Sequence, residues 1–182
     1  MAFPESEVLS KETGFLRPYG NNPYRGYGSI DNNPFLFRGD IDPRLPAMER
    51  VLSIRHDTDT QLVPLSELKK QPVANLLSGG NKTVIIASTT ATSALDAENI
   101  ALSRHVPAAA AFLAKVDGQE LVFELKDGIV QDVQTASHWN AFGMSIKGKL
   151  AGTQLEQVDD GVHFAFAWLA FDPEATVIKL GE

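Results

Sequence analysis

"AAFLAKVDGQELVFELKDGIVQDVQ", residues 110–134, is the stretch that decides the fold. Apolar and polar residues alternate through short runs, and Asp-Gly pairs at 117–118 and 127–128 separate one run from the next. Alternation with a period of two is typical of β-strands that bury one face. Asp-Gly is a favoured two-residue hairpin turn, because both of its residues must adopt positive φ angles. The stretch therefore predicts an antiparallel meander of three strands within residues 109–134.

Strands are also predicted on the N-terminal side of this stretch. "RVLSIRH" (50–56) and "TQLVPL" (60–65) flank an Asp-rich turn and indicate a hairpin. "KTVIIAS" (82–88) follows Gly79-Gly80 and is a continuous run rich in β-branched residues. Such a run predicts a central strand that is buried on both faces.

Helices are predicted at few places. "SELKKQPVANLL" (66–77) indicates a short helix that Ser66 caps and Pro72 ends or kinks. Residues 92–105 show weak helical spacing of their apolar positions. "GVHFAFAWLAFDP" (161–173) is apolar almost throughout, which favours a buried helix, with a buried strand as the alternative.

Residues 1–47 differ from the rest of the chain. They are rich in proline, glycine and asparagine, show no sustained period, and indicate an irregular arm built from turns. Their tyrosines and the run Phe35–Phe37 carry apolar area that needs burial. We expect the arm to be ordered over residues 17–37 and packed on a core of residues 48–182, with at least two of its three tyrosines mostly buried. The predicted fold class is α+β: a β-rich single domain with an antiparallel meander, few short helices and this long irregular N-terminal arm.

Composition excludes several classes of function. The 182 residues carry a formal net charge of −7, which argues against binding to nucleic acid or to an anionic membrane surface. The chain has no cysteine, so thiol nucleophiles, disulfides and zinc–thiolate sites are excluded. No apolar run approaches the roughly 18–20 residues of a transmembrane segment. "MAFPESEVLS" lacks the features of a secretion signal, so we expect a cytoplasmic protein unless a leader was removed, and a periplasmic or extracellular one if it was.

The segment "DVQTASHWN" (132–140) has two interpretations. As a catalytic cluster, Asp132, Ser137 and His138 would supply an orienting acid, a nucleophile and a base. Adjacent side chains on an extended strand point to opposite faces, however, which separates Ser137 from His138. The segment also matches no recognised nucleophile turn.

The structural interpretation assigns the same segment to a turn. Asp132, Thr135 and Ser137 would then bond nearby backbone amides while Trp139 fills the core. Three glycines follow: Gly143, Gly148 and Gly152. In strands, glycine is tolerated chiefly where the chain bends or approaches another segment closely, so we expect these glycines to mark such places.

Ligand-binding candidates lie in the arm. Tyr19, Tyr24 and Tyr27, together with Arg25, could stack on and hydrogen-bond a sugar, a peptide or another ring. The alternative is that these rings clamp the arm to its own domain. The four histidines show no metal-binding spacing, and neither "SIDNN" nor "GDIDP" matches a calcium loop, so no metal or cofactor is predicted.

Four stretches, 8–27, 42–54, 132–158 and 163–174, resemble the bacterial domain-of-unknown-function 3179 family. The most specific part is D-x-x-T-x-S-x-W-N-x-F-G from Asp132, followed by G-x-L-A-G-x-x-L from Gly148. Similar proteins are usually longer, are often exported and carry a Cys-Pro segment after a central strand. Here "TTATSALDA" (89–97) stands at that place, so the resemblance implies no redox or metal role for this chain.

Together these observations predict a non-catalytic binding or structural module, which the resemblance implies is exported. Its partner would be a small molecule, a glycan or a protein. The alternative is a hydrolase that uses Asp132, Ser137 and His138 in a cleft beside the arm.

Overall fold

A computed structural model describes residues 5, 7, 10, 12–56 and 59–181 of the chain. The strands in chain order are β1 (Arg50–His56), β2 (Asp59–Pro64), β3 (Val73–Ser78), β4 (Asn81–Thr92), β5 (His105–Leu113), β6 (Lys115–Val116), β7 (Gln119–Glu120), β8 (Phe123–Lys126), β9 (Ile129–Asp132), β10 (His138–Trp139), β11 (Ser145–Lys147), β12 (Asp159–Phe164) and β13 (Thr176–Val177). The helices are α1 (Leu65–Lys70) and α2 (Ala165–Phe171). With 41% strand against 9% helix among its described residues, the protein is strand-rich, as predicted.

The strands form several sheets. One four-stranded sheet has the order β12-β1-β2-β13, and a second has the order β11-β10-β9-β8. A three-stranded sheet, β3-β4-β5, and the pair β6-β7 complete the set. All pairings are antiparallel except that of β13 with β2. The predicted β1–β2 hairpin and the central position of "KTVIIAS", in β4, are therefore confirmed.

Strand β4 is buried on both faces because consecutive side chains enter different cores. Val84 and Ile86 pack in a cluster with Phe112 and Trp139. Ile85 packs in a second cluster that includes Leu52 from β1. A continuous β-branched run satisfies both environments, which explains why its pattern lacks alternation.

The stretch at 110–134 contains both predicted hairpins but not the predicted three-stranded meander. Asp117 and Asp127 have φ angles of 48° and 51°, as the turns require. Strands β6 and β7 pair only with each other, however, and β8 joins a different sheet with β9. Leu121, 1% exposed in the core, donates its N–H to the Ala114 carbonyl and so extends the first hairpin by one pair. Two residues later, the Phe123 N–H and carbonyl bond to the Asn75 side chain on β3, at 2.9 and 2.8 Å, rather than to a strand of the first hairpin.

Three helix predictions need correction. Ser66 lies inside α1, whose N-cap is Pro64 without a side-chain hydrogen bond, although the helix does end before Pro72. Within 92–105 the only helical structure is a 3-10 turn at Ile100–Leu102, because backbone groups of this segment bond to the N-terminal segment instead. The apolar stretch 161–173 is divided: β12 continues to Phe164, where pairing with β1 ends, and α2 follows.

Residues 12–49 contain no helix or strand in the part of the chain that the structure describes. Their backbone bonds to the 95–100 loop, for example from Asn22 to Glu98 at 2.7 Å and from Gly26 to Asp96 at 2.9 Å. The expectation that two tyrosines are mostly buried is wrong: Tyr19 is 40% and Tyr24 is 55% exposed. The segment contacts a polar loop over much of this length, so only some of its rings reach apolar surface.

Candidate functional site

Asp132 is the centre of a buried polar cluster. It is fully buried, and its Oδ2 accepts hydrogen bonds from the Trp139 indole N–H at 3.0 Å and the Ser137 backbone N–H at 3.2 Å. The Thr135 hydroxyl also donates to Oδ2, at 2.9 Å, and the Thr135 backbone N–H donates to Oδ1 at 2.6 Å. The carboxylate is thus saturated by donors from the turn that follows it.

Ser137 is fully buried as well, and both roles of its hydroxyl are taken. Its Oγ accepts the Leu150 backbone N–H at 3.0 Å and lies 2.7 Å from the Thr135 hydroxyl oxygen. Since that hydroxyl already donates to Asp132, the Ser137 hydroxyl must donate to it. His138 lies on β10, where its backbone pairs with β9 and β11, and no described residue forms a hydrogen bond with its side chain. The structure therefore joins Asp132 to Ser137 but does not bring His138 into their hydrogen-bond network.

Two of the three glycines after the cluster, Gly143 and Gly148, lie at places of close approach, and Gly152 has open space around it. A Cβ on Gly148, whose φ is 101°, would lie 2.7 Å from the Ser137 Cα. A Cβ on Gly143, whose φ is 71°, would lie 2.7 Å from the Phe112 ring. Gly152 also has a positive φ, of 89°. These contacts close the chain around the cluster and support the structural interpretation, with one change: Thr135 donates its hydroxyl to a side chain rather than bonding a backbone amide.

We expect Ser137→Ala to lower the free energy of unfolding by about 1 kcal/mol, because one internal hydrogen-bond network loses a member. Urea denaturation followed by circular dichroism would measure this loss. Binding of any small ligand to the folded variant should equal that of the wild type. Unchanged stability together with lost binding or turnover would show that the cluster is functional.

The arm candidates do not converge on one site. Tyr19 lines a groove beside Glu98, while Arg25 lines an adjoining groove with Asp96 and Glu98. Tyr27 makes edge contacts with the rings of Phe35 and Phe164, at centroid distances of 5.3 and 6.0 Å. The Tyr24 ring lies 6.3 Å from that of Tyr27. Tyr27 therefore helps to clamp the segment to β12, while Tyr19 and Arg25 face open grooves.

A separate cavity of about 260 Å³ lies where the N-terminal segment meets β1, α1 and the start of β5. We call it the anion pocket. Its lining combines cationic, acidic and apolar side chains from four separated parts of the sequence: Gly28, Ile30, Met48, Glu49, Arg50, Leu65, Ser66, Lys69, Arg104, His105, Val106 and Pro107.

Arg50 is the most unusual residue of the anion pocket. Its guanidinium lies over the Phe164 ring, 5.6 Å from the centroid, and forms no hydrogen bond or ion pair with any described residue. Burial, and then the nearby charge of Arg104, lower the pKa of Arg50. A partly desolvated cation without an acceptor attracts an anion strongly, because the local dielectric screens it less than water does.

Two further cations line the anion pocket. Arg104 donates to the Gly28 carbonyl at 3.2 Å and lies 3.7 Å from Asp96. Lys69 projects from α1 and is exposed. With Arg50 they make three positive side chains against one carboxylate, Glu49, in a protein whose net charge is −7. The lining of this cavity therefore carries more positive than negative side chains, and Arg104 is the one of the three cations that is paired with a described carboxylate.

Glu49 is 7% exposed and connects two elements that line the anion pocket. Its Oε1 accepts the Arg50 backbone N–H at 3.1 Å and the Ser66 backbone N–H at 3.4 Å. It thereby joins the start of β1 to the first turn of α1. The latter bond supplies an acceptor for a helix-terminal N–H that has no partner within the helix.

Sequence reasoning missed the anion pocket because its residues have no common spacing. They come from 28–30, 48–50, 65–69 and 104–107, and only the packing of the N-terminal segment and α1 around β1 and β5 brings them together. The one local signal is an adjacent Glu49-Arg50 pair directly before an apolar strand. Charged residues are almost never fully buried unless paired, so such a pair was a weak pointer.

Other kinds of site are not evident in the described residues. Within 12–56 and 59–181, no three or more histidine or acidic side chains are grouped as metal ligands would be. None of the helices in these ranges has the length and apolar character needed to span a membrane.

Comparison with known proteins identifies a family rather than an activity. No curated protein and no solved structure is significantly similar to the chain. The model of the family described as "Protein of unknown function (DUF3179)" matches residues 1–175 of the 182. That match includes both the Asp132 cluster and every residue that lines the anion pocket. The chain therefore belongs to the DUF3179 family.

Proposed function

We propose that this protein is a non-catalytic binding module that holds a small organic anion in the anion pocket. The observation that carries the proposal is the half-buried Arg50 guanidinium, which has no acceptor among the described residues. Guanidinium groups pair with carboxylates and phosphates in a planar, two-bond geometry. A ligand with one such group would supply the missing acceptors.

The size and lining of the anion pocket favour a small molecule over a glycan or a protein partner. Its volume of about 260 Å³ lies slightly below the range for cavities that hold drug-sized ligands, which begins at roughly 300 Å³. Apolar side chains of Ile30, Leu65 and Val106 line it together with the charges. This combination suits an anionic group attached to a short apolar body.

The non-catalytic part of the proposal rests on the hydrogen bonding of the candidate nucleophiles. Ser137 is enclosed, and its hydroxyl is committed to the turn. In the anion pocket, Ser66 and His105 both line the cavity, but no hydrogen bond joins them in the described chain. A serine nucleophile needs such a bond to a base for activation.

The N-terminal segment takes part in this function in our proposal. Residues 1–47 act as an arm on a single domain with core 48–182, and Gly28 and Ile30 form one wall of the anion pocket. Ring contacts of Tyr27 with Phe164 and of Phe37 with Phe166 support this packing. Export, which the family resemblance implied, is part of the same proposal, and fractionation of the producing cells would test it.

We expect Arg50→Met to weaken the binding of 4-methylpentanoate, a carboxylate with a short apolar tail, by about 10- to 100-fold. This is the loss expected when a charge-assisted hydrogen bond worth about 1.5–3 kcal/mol is removed. Isothermal titration calorimetry on the full chain would measure it. Methionine keeps much of the side-chain length, so the packing against Phe164 is largely retained.

Arg25→Met is the matched control, because Arg25 lines the groove beside Asp96 and Glu98, here called the arm groove, rather than the anion pocket. Its binding should equal that of the wild type. Binding lost in Arg25→Met and kept in Arg50→Met would move the site to the arm groove and contradict the proposed location. A protein that binds no small carboxylate at all would contradict anion binding altogether.

A further inference from the structure

The anion pocket contains two opposite charges that do not form an ion pair with each other. No ion pair joins the Glu49 carboxylate to the Arg50 guanidinium among the described side chains. Both hydrogen bonds of the Glu49 side chain end on Oε1 and come from backbone N–H groups. Its second oxygen, Oε2, has no donor from any described residue. A side chain that is 7% exposed thus keeps one oxygen free of protein donors at the wall of a cavity, and this oxygen is not fully enclosed by the protein.

We propose that the anion pocket binds a free α-amino acid, with its carboxylate on Arg50 and its ammonium on Glu49. The inference rests on the proposed function and names the ligand class of that same pocket. A simple anion would satisfy Arg50, but it would offer no donor to the Glu49 oxygen and would be repelled by the charge of Glu49. An α-amino acid carries an acceptor group and a donor group of opposite charge, so it satisfies both residues at once.

The remaining lining of the anion pocket indicates that the bound amino acid has an aliphatic side chain. Ile30, Leu65, Val106 and Pro107 give the cavity an apolar wall. A volume of about 260 Å³ admits one amino acid of leucine size and excludes a peptide of several residues. L-Leucine is therefore the probe of choice.

The test compares three molecules that carry the same isobutyl group. L-Leucine carries both charges, 4-methylpentanoate lacks the ammonium, and 3-methylbutylamine lacks the carboxylate. Calorimetric titration of the full chain should give leucine the highest affinity, about 10- to 100-fold above 4-methylpentanoate. This is the discrimination expected when a buried charged group gains or lacks its partner at about 1.5–3 kcal/mol. 3-Methylbutylamine should not bind measurably, since it would place a cation beside Arg50.

Glu49→Gln provides the second part of the experiment. The amide keeps an Oε1 acceptor for the Arg50 and Ser66 N–H groups, so α1 and β1 should remain joined. Leucine affinity should then fall to the level of 4-methylpentanoate, and 4-methylpentanoate should bind at least as tightly as to the wild type. A thermal melt of the variant checks that it is folded. The comparison of the three ligands on the wild type does not depend on whether this variant folds.

The outcomes separate this inference from the proposed function. Equal affinity of the wild type for leucine and 4-methylpentanoate would overturn the amino-acid inference while leaving anion binding intact. Leucine binding that Glu49→Gln leaves unchanged in the folded protein would also overturn it. Absence of binding by both carboxylates would overturn the proposed function and the inference together. If the wild type binds leucine but not 4-methylpentanoate, and Arg50→Met abolishes leucine binding, the proposed function and the inference are both supported.

Discussion

Replacing Trp139 with alanine is expected to lower the free energy of unfolding by about 3–5 kcal/mol. The indole is 3% exposed, and its ring lies 5.5 Å from that of Phe123 in an edge contact. Its removal leaves a large cavity in the cluster that joins the β4 sheet to the β10 sheet. It also removes the indole N–H from Asp132, which then has one donor fewer for a buried charge.

Equilibrium urea unfolding of Trp139→Ala would measure the loss, and Trp168→Ala is the matched control. Trp168 is only partly buried, and no hydrogen bond holds its indole N–H within the described chain. We expect the control to lose clearly less stability than Trp139→Ala. Equal losses would mean that the burial of Trp139 and its bond to Asp132 contribute little.

Replacing Asp132 with alanine should have an effect of similar size, about 3–5 kcal/mol, although the volume removed is far smaller. The substitution removes the acceptor of four hydrogen bonds, and the Ser137 N–H and the Trp139 indole N–H are then left buried without a partner. Each such orphaned donor costs about 1–3 kcal/mol. The turn at 133–137 should also lose its fixed shape, since its bonds converge on this one carboxylate.

Asp132→Asn removes the negative charge but keeps one side-chain oxygen as a hydrogen-bond acceptor. The asparagine oxygen can still accept from part of the turn, while its amide has to find an acceptor among groups that are themselves donors. We expect Asp132→Asn to lie between the wild type and Asp132→Ala in urea unfolding. Asp31→Ala, at an exposed position, should change stability by less than about 0.5 kcal/mol. An Asp132→Ala variant as stable as this control would contradict the structural role of the cluster.

The two candidate sites differ in what holds them together. The Asp132 cluster lies within eight consecutive residues, Asp132–Trp139, so its donors and acceptors are close in sequence. A structural role for it could be inferred from the chain alone, and the geometry supports that role. The anion pocket draws on segments up to about 80 positions apart, and no pattern in the sequence connects Gly28 with Arg104.

The errors in the predicted elements have the same origin. Both Asp-Gly hairpins were predicted correctly because turn geometry depends on two adjacent residues. The continuation of the meander was wrong because the Asn75 side chain on β3 binds the Phe123 backbone groups that would have continued the first hairpin. At 161–173, the apolar pattern suited a helix and a strand equally, and pairing with β1 decided where one ends and the other begins.

By itself, the sequence determined the strand-rich character, the positions of the two Asp-Gly turns, the buried strand β4 and the core position of Trp139. Each of these depends on local φ preferences or on the periodicity of apolar residues, which act over a few positions. Only the tertiary structure decided which strands share a sheet, how far the N-terminal tyrosines are buried and which charges meet in the anion pocket. These depend on contacts between distant segments, where the free energy of packing outweighs the weaker local preferences.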